Sequence, residues 1–451
     1  MISDESFRTK SLTSHLLGDA ILRILAAAVH SVEPGEVIRR AVHKEEDTLV
    51  IRGNRIKLSS FRHIYLLGIG KASYAMTRTL AGILGDPLTA ALAISKHSSH
   101  QLSEPETNHR LTEIVGGHPI PDERSLRAGD EVLKFLSFLG PNDLLICLIS
   151  GGGSALVTAP VGGVTLANIQ ELTAKMLSCG ANIREINCIR RRLDRLKGGG
   201  VVRLVPGTKV ISLILSDVVG NPLEAIASGP TVEDPVKPGV IKSILDTYQL
   251  AGKIPESILT ALEVDEERRN TGVQFGLVEN ILVGSNLTAA QGALKQAEQE
   301  GFNPHLLRTN LEGEAREAGF ILSTFLRQAK KTGDPVAPPA CIIAGGETTV
   351  TIQGKGKGGR NTELALAAVS ELADFPGVTL VTLATDGEDG PTDAAGAVVT
   401  GETYRRARLL GMDPGDYLEN NDSYTFFERL GDLLKPGPTG TNVNDLTFLF
   451  T

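Results

Sequence analysis

The chain has 451 residues, which at roughly 150 per domain predicts two or three cores large enough to be stable without disulfides or metals. Hydrophobic residues make up 41% and charged residues 22%, a composition that excludes a disordered chain and a coiled coil. Lys plus Arg total 45 against Asp plus Glu 53, a net charge of −8 with no terminal basic block, which argues against a dedicated nucleic-acid binder.

The apolar stretch 21–29 is interrupted by Arg23 and falls short of the ~20 residues a bilayer span needs. The opening MISDESFRTK has no apolar core or cleavage site of a secretory signal, so a cytoplasmic protein without membrane association is expected. Cys147, Cys179, Cys188 and Cys341 lack CxxC spacing; neither a disulfide nor a zinc site is expected.

In chain order, a helix is predicted over 16–29, then apolar strands near 64–67, 91–95, 144–149 and 210–215, with helices over 122–139 and 166–177 between them. Strands ending in glycine turns and alternating with helices predict a parallel, Rossmann-like sheet. The charged stretch 263–274 is the candidate boundary, dividing the chain into 1–262 and 263–451. Beyond it, residues 281–283 run into Gly284-Ser285-Asn286, with Asn286 as helix cap. Strands near 341–344, 349–352, 378–383 and 446–450 and helices near 312–330, 361–373 and 401–411 follow. The tight turn between 341–346 and 347–353 predicts an antiparallel pair, hence a mixed second sheet.

Several strand ends carry candidate chemistry. Gly68-Ile69-Gly70-Lys71-Ala72-Ser73 puts Lys71 in a first helical turn, where a cation opposes the helix dipole and needs an anionic partner to offset it. A dinucleotide fingerprint fails here, because Ser73 replaces the third glycine and no acidic residue closes the next strand. Ser150-Gly151-Gly152-Gly153-Ser154 offers bare backbone N–H groups as an anion cradle, with tight packing as the competing reading. There is no GxxxxGK[ST] phosphate loop and no GxSxG nucleophile elbow.

A helix predicted over 183–197 carries its apolar stripe at Ile186, Ile189, Leu193 and Leu196, leaving Arg184, Arg191 and Arg195 on the solvent face. Arg190 and Lys197 share one edge of the stripe, roughly 10.5 Å apart along the axis. Asp217 follows a strand end, where α/β sheets bind ligands. Lys355, Lys357 and Arg360 lie among four glycines in a loop suited to phosphates, with Arg360 at a helix start. Asp386, Glu388, Asp389 and Asp393 form an acidic cluster that a divalent metal would neutralise, a capped turn being the competing reading. All nine histidines lie at or before His305, and His118, in a Gly-His-Pro loop, is the one singled out.

Taken in order, GIGKAS at 68–73, GGHPIPDE at 116–123, SGGGSAL at 150–156, IRRRLDRLKGG at 189–199, LSDVVGNP at 215–222 and ASGPT at 227–231 resemble the glycerate 2-kinase family. GGETTV at 345–350, GKGGRNTE at 356–363, TDGEDGPTDAAGA at 385–397 and TGTNVNDL at 439–446 resemble its MOFRL domain. The resemblance implies two three-layer α/β/α domains with the active site in the cleft between them, and ATP-dependent phosphorylation of D-glycerate to 2-phospho-D-glycerate and ADP. Lys71 and Arg360 would be the catalytic cations. Gly70, Ser150–Ser154, Arg190, Lys197, Glu347 and Asn361 would bind substrate and phosphate. Mg²⁺ would accompany ATP, with Asp217, Asp386 and Asp389 as ligands and Asp217 alternatively accepting the 2-hydroxyl proton; a homodimer is compatible. Asn221, Asp194 and Thr362 depart from the pattern, standing where Asp, Ser and Gln are usual. The rival readings are a hydroxypyruvate reductase and a non-catalytic, nucleotide-responsive binding protein.

Overall fold

The computed structural model describes residues 2–97, 110–237, 239–269 and 275–451. Its contacts divide the chain into two compact units, one comprising Ile38–Leu215 and Asn221–Val283, the other Met1–Val37, Ser216–Gly220 and Gly284–Thr451.

In the first unit, β1 (Val42–Glu45), β2 (Thr48–Ile51) and β3 (Asn54–Lys57) make a small antiparallel sheet. The main sheet is built from β4 (Ile64–Ile69), β5 (Ala90–Ser95), β6 (Leu111–Val115), β7 (Leu144–Ser150), β8 (Lys209–Leu215) and β9 (Val278–Gly284), in the order β6-β5-β4-β7-β8-β9. The pairs from β6 through β8 are all parallel, as expected. β4 and β7 are buried along their whole length, which is why both read as unbroken apolar runs. After β4 the chain moves outward to β5 and β6; after β7 it moves the other way to β8. The turns leaving β4 and β7 therefore diverge and open a crevice at the carboxyl ends of two adjacent parallel strands, the place where such sheets receive ligands.

In the second unit, β10 (Asn303–Leu311), β11 (Ala340–Gly346), β12 (Thr379–Ala384), β13 (Gly396–Thr400), β14 (Leu433–Leu434) and β15 (Asp445–Phe450) form a sheet in the order β10-β11-β15-β12-β13-β14. Only β10 and β11 run parallel; the other pairs are antiparallel. The sheet is mixed as expected, for a different reason. Residues 349–352 form no strand, and Thr349 makes only an isolated bridge to Glu314. The antiparallel pairs come from β15, which inserts between β11 and β12. Helices Ala315–Thr332 and Arg360–Glu371 share a core with Phe426, Phe427 and Leu449.

The division of the chain does not follow a single cut after residue 262. Residues 281–283 belong to β9, beside β8 in the first sheet, and the passage to the second unit comes at Gly284. The helix Gly18–His30 packs with the second unit, on the helix Asn286–Gln299, where a Cβ at Gly292 would come within 2.4 Å of Ser31 Cβ. That close approach needs glycine on one side. Among the described residues no helix is long and apolar enough to cross a membrane. Among the described residues the four cysteines form no disulfide, and Cys147, Cys188 and Cys341 are buried.

Candidate active site

The turns after β4 and β7 are interlocked. The Lys71 amide donates to the Gly151 carbonyl (2.9 Å), and the Ala72 amide donates to Ser150 Oγ (3.0 Å). Gly70, at φ 131°, leaves no room for a side chain: a Cβ there would lie 2.3 Å from the Ser150 carbonyl oxygen. Ala72 caps the helix Ser73–Leu84, so Lys71 stands one residue before the cap and not inside the first turn. Its side chain is exposed and makes no ion pair or hydrogen bond among the described residues.

Gly152 is in the left-handed region (φ 79°), and a Cβ on it would lie 2.9 Å from Lys71 Cγ, 3.1 Å from Lys71 Cε and 3.2 Å from His118 Nε2. Lys71 and His118 thus converge on one bare glycine. Beside it, Ser228 Oγ donates to Ser154 Oγ (2.8 Å), and the Gly198 amide donates to the Ser228 carbonyl. Ala227 and Ser228 have φ 49° and 62°. Two consecutive non-glycine residues in this region are strained and are held only because the surroundings fix them. Asn221 is left-handed as well (φ 54°), a conformation asparagine tolerates.

The helix carrying the arginines ends at Arg192 and does not reach residue 197. Asp194 stops it: its backbone bridges Pro160, and its carboxylate accepts from the Leu196 amide (2.9 Å), the Ala159 amide (3.2 Å) and Lys197 Nζ (2.7 Å). The expected 10.5 Å edge between Arg190 and Lys197 is therefore absent. Lys197 is buried, and burial pulls its pKa down against the charge of Asp194. The solvent face drawn for Arg191 is also corrected. Arg191 is buried and pairs with Asp234 (3.3 Å), as does Arg192 (3.1 Å). Arg190 is the one cation of this helix whose guanidinium makes neither hydrogen bond nor ion pair among the described residues while burial lowers its pKa, a cost an incoming anion would offset.

The second unit gathers a different set. Arg360 opens the helix Arg360–Glu371, capped by Gly359. Its Nε donates to Asp445 Oδ2 (2.5 Å), its Nη2 to Asp445 Oδ1 (3.2 Å) and its Nη1 to Glu347 (2.8 Å). Burial works against the guanidinium charge, but Asp445 and Glu347 more than hold it, and the pKa of Arg360 is raised. Burial pushes Asp445 up to about 6 against the pull of Arg360. Asp445 was not foreseen. The signal was a carboxylate opening an otherwise apolar strand, in the TGTNVNDL motif, which was read only as part of the family resemblance.

The acidic cluster does not present itself as a metal cage. Asp389 is 1% exposed and accepts the Asn361 and Thr362 amides (2.9 and 2.8 Å), Thr362 Oγ1 (2.8 Å) and Asn361 Nδ2 (3.3 Å). It neutralises the first turn of the Arg360 helix, as carboxylates at a helix N-terminus do. Asn361 and Thr362 are buried in this network, so the Thr362 departure serves the cap. Asp393 accepts from Tyr424 Oη and Lys435 Nζ. Among the described residues no three metal-binding side chains converge. Asp217 and Asp386 remain half-buried carboxylates, and two carboxylates with phosphate and water oxygens suffice for Mg²⁺.

Residues 20–263 match a family described as a domain of unknown function (DUF4147), and residues 340–445 match the MOFRL family. A glycerate 2-kinase of Pyrococcus horikoshii is 38% identical over 429 residues, 94% of this chain and 95% of that one. A protein of Agrobacterium vitis named putative hydroxypyruvate reductase is 37% identical over 84% of this chain and 85% of its own. The crystal structure of a glycerate kinase from Thermotoga maritima superimposes with a TM-score of 0.85 at 35% identity, covering 96% of this chain and 98% of that one.

Proposed function

The chain belongs to the glycerate 2-kinase family with a MOFRL domain, and from that premise we propose which of its groups carry the reaction. It is an enzyme that phosphorylates glycerate, with ATP as co-substrate. The observation that carries the assignment is Lys71, an ammonium without a counter-charge among the described residues, standing over Gly152 at the crevice between β4 and β7.

Phosphoryl transfer requires positioning and charge neutralisation more than covalent chemistry. Lys71 meets the oxygens of the transferring group, and the bare backbone of Ser150–Ser154 receives an anion that no Cβ obstructs. Arg190 is the further cation for the substrate anions in this unit, while Lys197, held by Asp194, sets the loop that leads to Gly198 and Ser228. In the second unit Arg360 is pre-oriented by Asp445 and Glu347 to offer its fork to phosphate or carboxylate. Asn361 sets the start of that helix through Asp389. Mg²⁺, when bound, screens the ATP oxygens, and Asp217 and Asp386 would hold it; Asp389 is withdrawn from that role. A homodimer and a cytoplasmic location belong to the same proposal.

The reductase reading is disfavoured by the turn after β4, where Ser73 is buried and donates to the Ile94 carbonyl (2.8 Å) in place of the glycine that lets a helix approach a dinucleotide. The experiment is ³¹P NMR of the protein with Mg²⁺, ATP and D-glycerate. 2-Phosphoglycerate is expected; 3-phosphoglycerate, or NADH oxidation with hydroxypyruvate, overturns the proposal.

A further inference from the structure

The turn that carries His118 is fixed on three sides. The Gly116 amide donates to the Ser95 carbonyl (3.0 Å) and the Gly117 amide to Ser125 Oγ (3.1 Å). A Cβ on Gly116 would meet the Leu156 carbonyl oxygen at 2.1 Å, and one on Gly117 would meet Asp122 Oδ1 at 2.3 Å. Two glycines packed this tightly determine where the next side chain goes. It goes over Gly152, with Nε2 toward the same point that the Lys71 stem approaches.

Among the described residues, the other polar groups at these turns are committed or of the wrong kind. Ser150 Oγ accepts the Ala72 amide, and Ser154 Oγ accepts from Ser228. Lys71 is a cation and has no lone pair to offer. The His118 ring is half-buried and makes no hydrogen bond among the described residues. Among the described residues it is the group shown at the cradle that can accept a proton.

Taking the kinase reading as given, we infer that His118 is the general base of the transfer, its Nε2 accepting the proton of the glycerate 2-hydroxyl as that oxygen attacks the γ-phosphorus. The hydroxyl O–H bond breaks while the new O–P bond forms. The bond from the γ-phosphorus to the ADP oxygen breaks, and its electron pair leaves with ADP. The imidazolium returns its proton to water after the product departs.

The electrostatics agree with the geometry. Among the described residues, the charged and titratable groups that bear on the ring are Lys71, from the turn after β4, and Lys96 and His97, just past β5. Burial first, then these charges, pull the pKa of His118 down to about 4, so the ring is neutral when substrates arrive. The carboxylate of glycerate and the phosphates of ATP oppose those cations and raise the proton affinity of the ring once bound, as proton acceptance requires.

The test uses the full chain with Mg²⁺, ATP and D-glycerate, and the variants His118→Gln and His118→Ala. kcat should fall about 10²-fold or more in both, the usual contribution of a general base, with KM for either substrate within a few-fold of wild type. Added imidazole should restore part of the His118→Ala rate in proportion to its free-base form. In the wild type the acid limb of kcat should lie above that of kcat/KM, and it should vanish in His118→Gln. A kcat within threefold of wild type, a loss confined to KM for glycerate, or an acid limb surviving unchanged in His118→Gln overturns the inference. His118→Gln, which fills the same space, carries the test if His118→Ala melts early. A wild-type protein that leaves glycerate untouched sinks the kinase reading as well; an active wild type with equally active variants sinks only the base.

Discussion

Lys71 and Arg360 occupy equivalent places in their units, each at a glycine turn leading into a helix, yet the two units treat their cation in opposite ways. Lys71 is exposed and unpaired among the described residues, and the structure around it is held without charge: by the Gly151 carbonyl, the Ser150 hydroxyl and the close fit of Gly70. Arg360 is two-thirds buried and carries two carboxylates, one of them, Asp445, nearly inaccessible. An exposed ammonium needs no counter-charge and keeps its full field for a ligand, whereas a guanidinium drawn into the protein must bring its own anions. Function and stability are therefore separable at Lys71 and entangled at Arg360.

The largest effect that would sharpen this contrast is on turnover. Lys71→Ala and Arg360→Ala should each lower kcat by a factor on the order of 10² or more, but only Arg360→Ala should also destabilise the protein, by roughly 2 kcal/mol. That is less than the ~3–5 kcal/mol of a fully buried broken pair, because the guanidinium is partly exposed. Steady-state kinetics with urea unfolding of both variants checks it; equal stability would break the comparison. If both cations meet the same transition state, the double variant should lose far less than the product of the two factors.

Gly152→Val should come next, since a branched side chain there is strained at φ 79° and intrudes on Lys71 and His118. A rise of tenfold or more in KM for ATP or glycerate is expected from initial rates, with unchanged KM pointing to packing as the glycine's only use. A smaller effect concerns pH. The pKa of Asp445 is raised in the folded protein, so its contribution to stability is complete below the unfolded value near 3.8 and is lost as pH rises through about 6. The stability of wild type relative to Asp445→Asn should therefore decline between pH 4 and 7 in denaturant titrations; a flat difference would mean that Arg360 holds Asp445 ionised throughout. Smallest is Asp389→Asn, which should cost about 1–2 kcal/mol as a weakened cap and leave the Mg²⁺ dependence of the rate where it was. A shifted Mg²⁺ requirement would return Asp389 to the metal.

The same contrast explains what was legible in the sequence. β7 and its glycine loop could be read directly, because a strand buried on both faces is apolar throughout and a bare turn is glycine throughout. Lys71 stood out for being in the wrong place for a cation, an argument that needs no tertiary knowledge. Arg360 was legible for the same reason, but its partners were not: Asp445 lies 85 residues away on a strand inserted between two others. Asp389 looked like one of several loop carboxylates until the helix start it neutralises was in view. The arginine helix was drawn too long because its apolar spacing continues to Leu196, and only the bridge from Asp194 to Pro160 reveals where it stops. β9 was assigned to the wrong half since a strand's sequence does not say which sheet it joins.

The helix Gly18–His30 is synthesised before the helix it packs against, Asn286–Gln299, which follows more than two hundred residues later. The early helix therefore waits with its apolar face uncovered, including Ile21, Leu22, Ile24 and Leu25, all 1% exposed or less in the finished protein. During synthesis this segment has a reason to meet a chaperone. Removing this helix would leave the facing side of the helix Asn286–Gln299 permanently bare, in the unit that holds Arg360 and far along the chain from the deletion.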